Sequence, residues 1–413
     1  MKILLYGINF APEMTGVGKY TSEMAVWLTQ HGHSVRVVTA PPYYPSWKVF
    51  PGYTAGAYRR EDWQGIRVLR CPLWVPATPS GLLRVLHLLS FALSSAPAML
   101  GQLWWRPDVV WVVEPPFFCA PWAALVGRLC GACTVLHVQD FEIDAAFELG
   151  LLKGSLLRRL ANGVETWLMK RFDVVSTISG RMLERLRDKG VSPERLLSFG
   201  NWADSASVTP ANKGRYFRDL LNIPDVAVVA LYSGNMGRKQ GLELLAEVAH
   251  ALAAQPDVFF VFCGNGVGKT ELQVGCDGLM NVRFLDLQPI ALLPDLLCFA
   301  DIHLLPQRAD AADLVMPSKL CGMLASGRPV VATAAEGSEL ASIVAQCGLV
   351  VPPGNSGAAA DAVMQLARDK RLAAELGRAG RAYCEAHLDQ GAILERFVER
   401  VARPREFVGS GAA

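Results

Sequence analysis

Five short segments of this 413-residue chain carry the residue types that bind phosphate or move protons, and each stands beside an apolar run. Pro12-Glu13-Met14-Thr15-Gly16-Val17-Gly18-Lys19 opens an amphipathic stretch, so Gly16 and Gly18 let the backbone approach a ligand where a helix N-terminus can receive phosphate. The third glycine of a dinucleotide fingerprint is missing, and a plain tight turn is the alternative. Tyr232-Ser233-Gly234-Asn235-Met236-Gly237-Arg238-Lys239-Gln240-Gly241 sets three glycines beside two cations suited to a pyrophosphate. Cys263-Gly264-Asn265-Gly266-Val267-Gly268-Lys269 ends another apolar run but has Val267 where a P-loop needs its second glycine, which argues against ATP hydrolysis. In Met316-Pro317-Ser318-Lys319, Ser318 reads as an N-cap and Gly327 as the helix end, so backbone amides, the Ser318 hydroxyl and Lys319 would hold a diphosphate; a capped helix and nothing more is the alternative. The fifth segment is His137-Val138-Gln139-Asp140-Phe141-Glu142-Ile143-Asp144, whose Glu142 and Asp144 read equally as acids complementing a helix dipole.

The elements that must position these segments alternate between strand and helix. Apolar runs at 3–8, 35–39, 66–71, 109–113, 134–138 and 174–178 predict strands of a parallel sheet covered on both faces, with a helix over 19–29. A polar, Pro- and Gly-containing stretch through Gly214 breaks the pattern. Strands then recur at 226–232, 258–263, 282–285, 302–305 and 330–332, with helices over 242–253, 289–298 and 318–325. This is an α/β chain of two doubly wound domains, 1–205 and 206–390, followed by 391–413, whose helix is expected to return to the first domain. Ligands bind at the carboxyl ends of such sheets, where all five segments fall. The rigid aromatic loop Pro41–Trp47 follows a strand there too, so Tyr43, Tyr44 and Trp47 are candidates for lining the ligand cleft, by stacking on a sugar ring or packing a lipid chain, with loop packing as the alternative.

Composition narrows the function. Lys+Arg 40 against Asp+Glu 38 leaves a net charge of +2, removing the field that a nucleic-acid partner would need. The excess is local: residues 1–200 hold 21 basic and 15 acidic residues, net +6, and much of it lies between Lys153 and Arg195. Ten cysteines without repeated spacing read as reduced core thiols, and the lone Cys130/Cys133 pair has no partners to complete a metal site. Residues 85–105 contain no charged residue and approach the length of a membrane span. His87, Pro97, Gln102 and several serines dilute that segment, so we read it as helix partly buried and partly dipped into a membrane interface, against an internal core helix.

Taken in order, PEMTGVGKYTSEMA, YSGNMGRKQGLE, CGNGVGK, MPSKLCGMLASGRPVVAT and EGSEL resemble the family 4 retaining glycosyltransferases of the GT-B fold, most of all the bacterial exopolysaccharide enzymes of the colanic-acid type. The resemblance spans nearly the whole chain. It implies an acceptor-binding N-terminal domain, a C-terminal domain for a nucleotide-diphosphate-sugar, and transfer in the cleft with retention and no obligatory metal or other cofactor. It places Gly16, Gly18, Gly234, Asn235, Arg238, Lys239, Gly264, Gly266, Pro317, Ser318 and Lys319 around the donor. His137 or Asp140 would lie near the transferred sugar, with Lys319 compensating the leaving diphosphate. Two departures stand out: the glutamates of the family's E-x7-E element align with Leu314 and Gly322. Asp313 is then the candidate sugar contact, and Glu339 or a backbone group the ribose contact.

The resulting expectation is transfer of a sugar to a polyprenyl-linked saccharide in exopolysaccharide or O-antigen assembly, by a cytoplasmic protein peripherally bound to the inner membrane face. A nucleotide-sugar epimerase of the same architecture and a catalytically silent membrane scaffold are the rivals. The first would convert donor without acceptor; the second would bind membrane and turn over nothing.

Overall fold

The runs of β-branched and aromatic residues assemble into two separate sheets in a computed structural model, which describes residues 1–13, 16–77, 81–148, 154–210, 214–237, 240–308 and 317–402. The first sheet contains β1 (Lys2–Tyr6), β2 (Ser34–Thr39), β3 (Arg59–Trp63), β4 (Ile66–Arg70), β5 (Val109–Glu114), β6 (Cys133–Val138), β7 (Val174–Thr177) and β8 (Leu196–Ser198). Its order is β3-β4-β2-β1-β5-β6-β7-β8, parallel throughout except for the β3–β4 pair. Buried strands β5 and β6 have no exposed residue at all, as a sheet covered on both faces requires.

The second sheet contains β9 (Val228–Ser233), β10 (Val258–Cys263), β11 (Val282–Leu285), β12 (Ile302–Leu305), β13 (Val330–Thr333) and β14 (Gly348–Val351). Its order is β11-β10-β9-β12-β13-β14, all parallel. Two compact units result: Met1–Gly200 joined by the C-terminal residues from Ile393, and Asn201–Ala392. In the first unit, Phe397 of the helix Gln390–Ala402 packs on Phe199 with ring centroids 5.3 Å apart, and the Arg400 guanidinium donates to the Glu194 carbonyl.

Three strands escape the sequence reading, each for a physical reason. β3 (RREDW) is a charged edge strand with no buried stripe, β8 is only three residues long, and β14 begins at Gly348, which approaches the Val330 carbonyl too closely for a side chain. The apolar 85–105 segment is one helix, Gly81–Gly101, continuous through Pro97, then a 3-10 turn at Gln102–Trp104. By length and composition it could cross a membrane. One face is nevertheless built into the domain: the Tyr6 hydroxyl bonds the Ser95 hydroxyl at 2.5 Å, His87 Nδ1 bonds the Trp74 carbonyl at 2.6 Å, and His87, Phe91, Ser95 and Met99 are buried.

Candidate functional site

Both sheets change direction once. β1 lies between β2 and β5, and β9 lies between β10 and β12, so in each sheet the later strands are laid down on the opposite side of the first one. A crevice opens at the carboxyl ends of such strands, so each unit has one predictable place for a ligand.

In the second unit, the β9 and β10 loops are laced together by backbone bonds. Gly234 N donates to Cys263 O (2.9 Å), Met236 N to Asn265 O (2.9 Å) and Gly268 N to Met236 O (2.8 Å). Glycine is required by this lacing: a Cβ on Gly264 would lie 1.9 Å from the Gly234 carbonyl oxygen, and one on Gly266 2.5 Å from that of Met236, both at strongly positive φ. These two glycines thus shape the loop by backbone approach to a neighbouring loop. Lys269 of the same motif is tied to Asp286 (2.5 Å) and Asn265 Oδ1 (3.1 Å).

Lys319 reaches this loop pair from the first turn of the helix Lys319–Ala325. Its Nζ donates to the Tyr232 hydroxyl (3.0 Å) and Gln240 Oε1 (3.2 Å), lies 4.3 Å from the Tyr232 ring centroid, and stands 3.6 Å from where a Gly234 Cβ would be. The Tyr232 hydroxyl in turn donates to the Asn235 carbonyl (2.7 Å). Both recorded acceptors of the ammonium are neutral, and loss of hydration lowers the Lys319 pKa from 10.5 to about 7. An anion arriving beside Gly234 would restore the charge. Tyr232 and Gln240 are the residues that sequence reasoning missed here, although both stand inside the quoted glycine motif.

Ser318 departs from expectation. It adopts helical φ and ψ, makes no side-chain cap bond and is exposed, because the first turn already begins with Leu320 N bonding the Pro317 carbonyl (3.0 Å). Gly327 does end the helix, at φ 67°. Glu339 begins the helix Glu339–Val344 after β13, under a Ser338 side-chain cap. Gly322, at the position of the family's ribose glutamate, faces Leu297: an added Cβ would sit 3.0 Å from Leu297 Cδ1. Arg238, Lys239 and Asp313 lie outside the described residues.

In the first unit, the organising group is Glu13, missed as a site residue. Its buried carboxylate accepts from the amides of Tyr43 (2.7 Å) and Tyr44 (2.8 Å) through Oε1 and from Asn9 Nδ2 (2.8 Å) through Oε2. Burial still raises its pKa against those bonds. The β1 loop and the aromatic β2 loop are thereby one unit, and Gly18 lies so close that an added Cβ would meet Glu13 Oε2 at 3.0 Å. Gly16 begins the helix Gly16–Gln30 at φ 59° with open space beside it.

The aromatic residues divide. Tyr43 is only 4% exposed, its ring packed edge-on to Trp47 (5.5 Å) and His87 (4.8 Å), so it supports the loop and has no face left for a sugar. Tyr44 and Trp47 are half-buried and remain available. Burial raises the Tyr44 pKa, Arg84 opposes the rise and Asp140 adds to it, which brings the β2 loop, the β6 loop and the helix Gly81–Gly101 into one electrostatic neighbourhood. Arg84 also acts on Glu142, whose Oε2 accepts from Phe117 N (2.8 Å) and whose pKa burial raises.

His137 is a core residue. Nδ1 bonds the Ser176 hydroxyl (2.9 Å), Nε2 faces Gln139 Nε2 (3.0 Å), and the ring stacks on Trp111 and meets Phe199 edge-on. It is 1% exposed, and burial lowers its pKa to about 3, holding it neutral. Burial leaves His137 no exposed face for a sugar, and Gln139, which it contacts, follows β6 together with Asp140, both half-buried.

Fold and sites together define a two-domain glycosyltransferase of the GT-B type, and the comparisons with known proteins agree. Residues 15–202 match the glycosyl transferase 4-like domain and residues 227–369 match glycosyl transferases group 1. A protein of Escherichia coli (strain K12) named as the colanic acid biosynthesis glycosyl transferase WcaI is 42% identical over 415 residues, covering 97% of this chain and 100% of the relative. Among solved structures, sucrose-phosphate synthase from Thermosynechococcus elongatus superposes with TM-score 0.74 at 17% identity (96% of this chain, 97% of that one). Anabaena HepE in complex with UDP and glucose does so with TM-score 0.70 at 16% identity (97% and 99%). The chain belongs to the glycosyl transferase 4-like and group 1 family, and it is a glycosyltransferase.

Proposed function

We propose that this enzyme transfers a sugar, with retention at the anomeric carbon, from a nucleotide-diphosphate-sugar to a polyprenyl-diphosphate-linked glycan in exopolysaccharide or O-antigen assembly at the inner face of the cytoplasmic membrane. The observation that carries the donor half is Lys319: a desolvated amine with neutral partners, standing over Gly234 at the switch point of the second sheet. That geometry suits a diphosphate, and as it leaves, the Lys319 charge stabilises the new negative charge where water is scarce. The solved relative holding UDP and glucose supports a nucleotide-sugar donor, and the relative named for colanic acid biosynthesis supports a polysaccharide product.

Asp140, Gln139 and Tyr44 are assigned to the acceptor and the transferred sugar, Asp313 to the donor sugar and Glu339 to the ribose. No metal enters this scheme: Lys319 supplies the charge that an ion would otherwise bring. Incubation with a panel of nucleotide-sugars, with and without polyprenyl-diphosphate saccharides in detergent, followed by mass spectrometry, tests the reading. A lipid heavier by one sugar, with one nucleoside diphosphate released, supports it; an altered donor sugar in the absence of acceptor would replace it with an epimerase.

A further inference from the structure

Three helices of the first unit leave apolar residues in water, and the topology puts all three on one side of the sheet. Helix Gly81–Gly101 connects β4 to β5, Ala120–Cys130 connects β5 to β6, and Ser155–Met169 lies between β6 and β7. All three connections step the same way along the sheet, whereas Gly16–Gln30, between β1 and β2, steps the other way. Since parallel crossovers are right-handed, the three helices lie in one layer with Gly180–Asp188, which connects β7 to β8 and carries exposed Arg181 and Arg187 beside exposed Glu184 and Asp188, and Gly16–Gln30 lies opposite.

The outer surface of that layer has an unusual pattern. In Ser155–Met169 the buried residues Glu165, Leu168 and Met169 occupy one face. Leu156, Leu160, Val164 and Trp167, spaced four, four and three residues apart, form a stripe on the other face, with Leu156 78% and Leu160 67% exposed. The water side of this helix is thus at least as apolar as its core side, where the Glu165 carboxylate lies beside Leu168 and Met169. The neighbouring helices add exposed Leu93, Leu125 and Leu129, and Trp104, 87% exposed, closes the 3-10 turn that follows the first of them. Exposed apolar patches of this extent mark interaction surfaces.

Charge identifies the occupant. The three helices contain one acid, Glu165, and it is buried; their basic residues Arg84, Arg128, Arg158 and Arg159 are all exposed. Arg171, just beyond the last helix, stacks its guanidinium 4.0 Å from the Trp167 ring centroid. A two-fold contact between copies would set these cations against one another, whereas an anionic bilayer pairs with them while its acyl boundary takes the leucines and its headgroup level the tryptophans.

The geometry points to the outer surface of this helical layer, centred on the Leu156–Leu160–Trp167 stripe, as a docking face for anionic lipid. It rests on the membrane-linked reading above and adds the surface that makes the contact. The test measures sedimentation of the full-length protein with phosphatidylcholine vesicles, with and without phosphatidylglycerol. It compares wild type, Leu160→Asp/Trp167→Asp and Arg158→Gln/Arg159→Gln, with thermal melting to confirm folding and donor hydrolysis to follow the active site separately.

We expect wild type to bind only vesicles containing phosphatidylglycerol and to be released by salt. The apolar pair of substitutions should weaken binding about tenfold or more, and the arginine pair should do so chiefly at low salt. Both variants should melt and hydrolyse donor as wild type does. Equal binding by the apolar variant, no vesicle binding by wild type, or a concentration-dependent dimer abolished by Leu160→Asp/Trp167→Asp would each overturn the assignment. Vesicle binding without transfer from any donor would leave the docking face standing and refute the transfer reading instead.

Discussion

With Lys319 against the donor diphosphate as proposed, donor binding should depend on pH, and the effect can be sized. The lowering from 10.5 to about 7 corresponds to roughly 5 kcal/mol at 1.36 kcal/mol per unit, the cost of holding an ammonium where water is excluded. A nucleotide-sugar diphosphate has no ionisation of its own near neutrality, so the lysine must take up the proton. At pH 8 about nine in ten molecules of free enzyme are neutral at this position, and binding should absorb about 0.9 proton. Between pH 7 and pH 9 the charged fraction falls from one half to one hundredth, so affinity should fall about fifty-fold. Calorimetry of nucleotide-sugar binding in two buffers of different ionisation enthalpy reads the proton directly. Replacing Lys319 by Met should abolish the proton uptake and flatten the pH dependence at a low affinity.

The same linkage has a definite sign for stability. The folded pKa lies below the unfolded one, so between about pH 7 and 10.5 the unfolded chain holds more protons and stability rises with pH across that window. Below pH 7 the full cost is present. Lys319→Met should therefore be more stable than wild type at pH 6, by about 3 kcal/mol after allowing about 1 kcal/mol for each bond lost at Tyr232 and Gln240. Donor affinity unchanged from pH 6 to 9, or a Met variant no more stable than wild type at pH 6, would refute the reasoning.

Other perturbations give equally direct outcomes. Glu13→Ala strips the acceptor from the Tyr43 and Tyr44 amides, and leaving buried donors unpaired should cost about 1–3 kcal/mol each in urea denaturation and raise KM for acceptor more than for donor. Gly266→Ala forces a Cβ to 2.5 Å from the Met236 carbonyl; a loss of about 1–3 kcal/mol with weakened donor binding is expected, and a variant with wild-type stability would disprove the lacing. His137 is neutral when folded and has a folded pKa near 3 against 6.5 unfolded, so its contribution to stability is complete above about pH 6.5 and decays below it, by roughly 2 kcal/mol at pH 5. Imidazole NMR shifts showing protonation of His137 above pH 5 would contradict that. Asp140→Asn should lower kcat by about a hundredfold or more without moving the melting temperature, measured by transfer assay and calorimetry.

Much of this was legible in the chain itself. Strands at 258–263, 282–285 and 302–305 coincide with β10, β11 and β12; in β10 (VFFVFC), inside the sheet, burial keeps the run apolar without interruption, whereas β11 (VRFL) is an edge strand that admits Arg283. The parallel alternation brought the glycine loops after β1, β9 and β10 to carboxyl ends, where any ligand must go. The order of the motifs, each loose alone, was enough for the family.

Other features depend on contacts remote in sequence. Nothing local distinguishes His137 from a catalytic histidine: Trp111, Ser176 and Phe199, brought round it by three separate segments, make it a neutral core residue. Glu13 reads as one acid in a turn until the Tyr43 and Tyr44 amides arrive from the next loop. The low pKa of Lys319 is likewise a tertiary property, since the side-chain type sets 10.5 and only the packing of Tyr232, Gln240 and Gly234 removes the water that would keep it there. Local pattern determines which residues are apolar and where the chain turns; which polar groups lose their water, and whose field they then feel, is decided only when distant segments close around them.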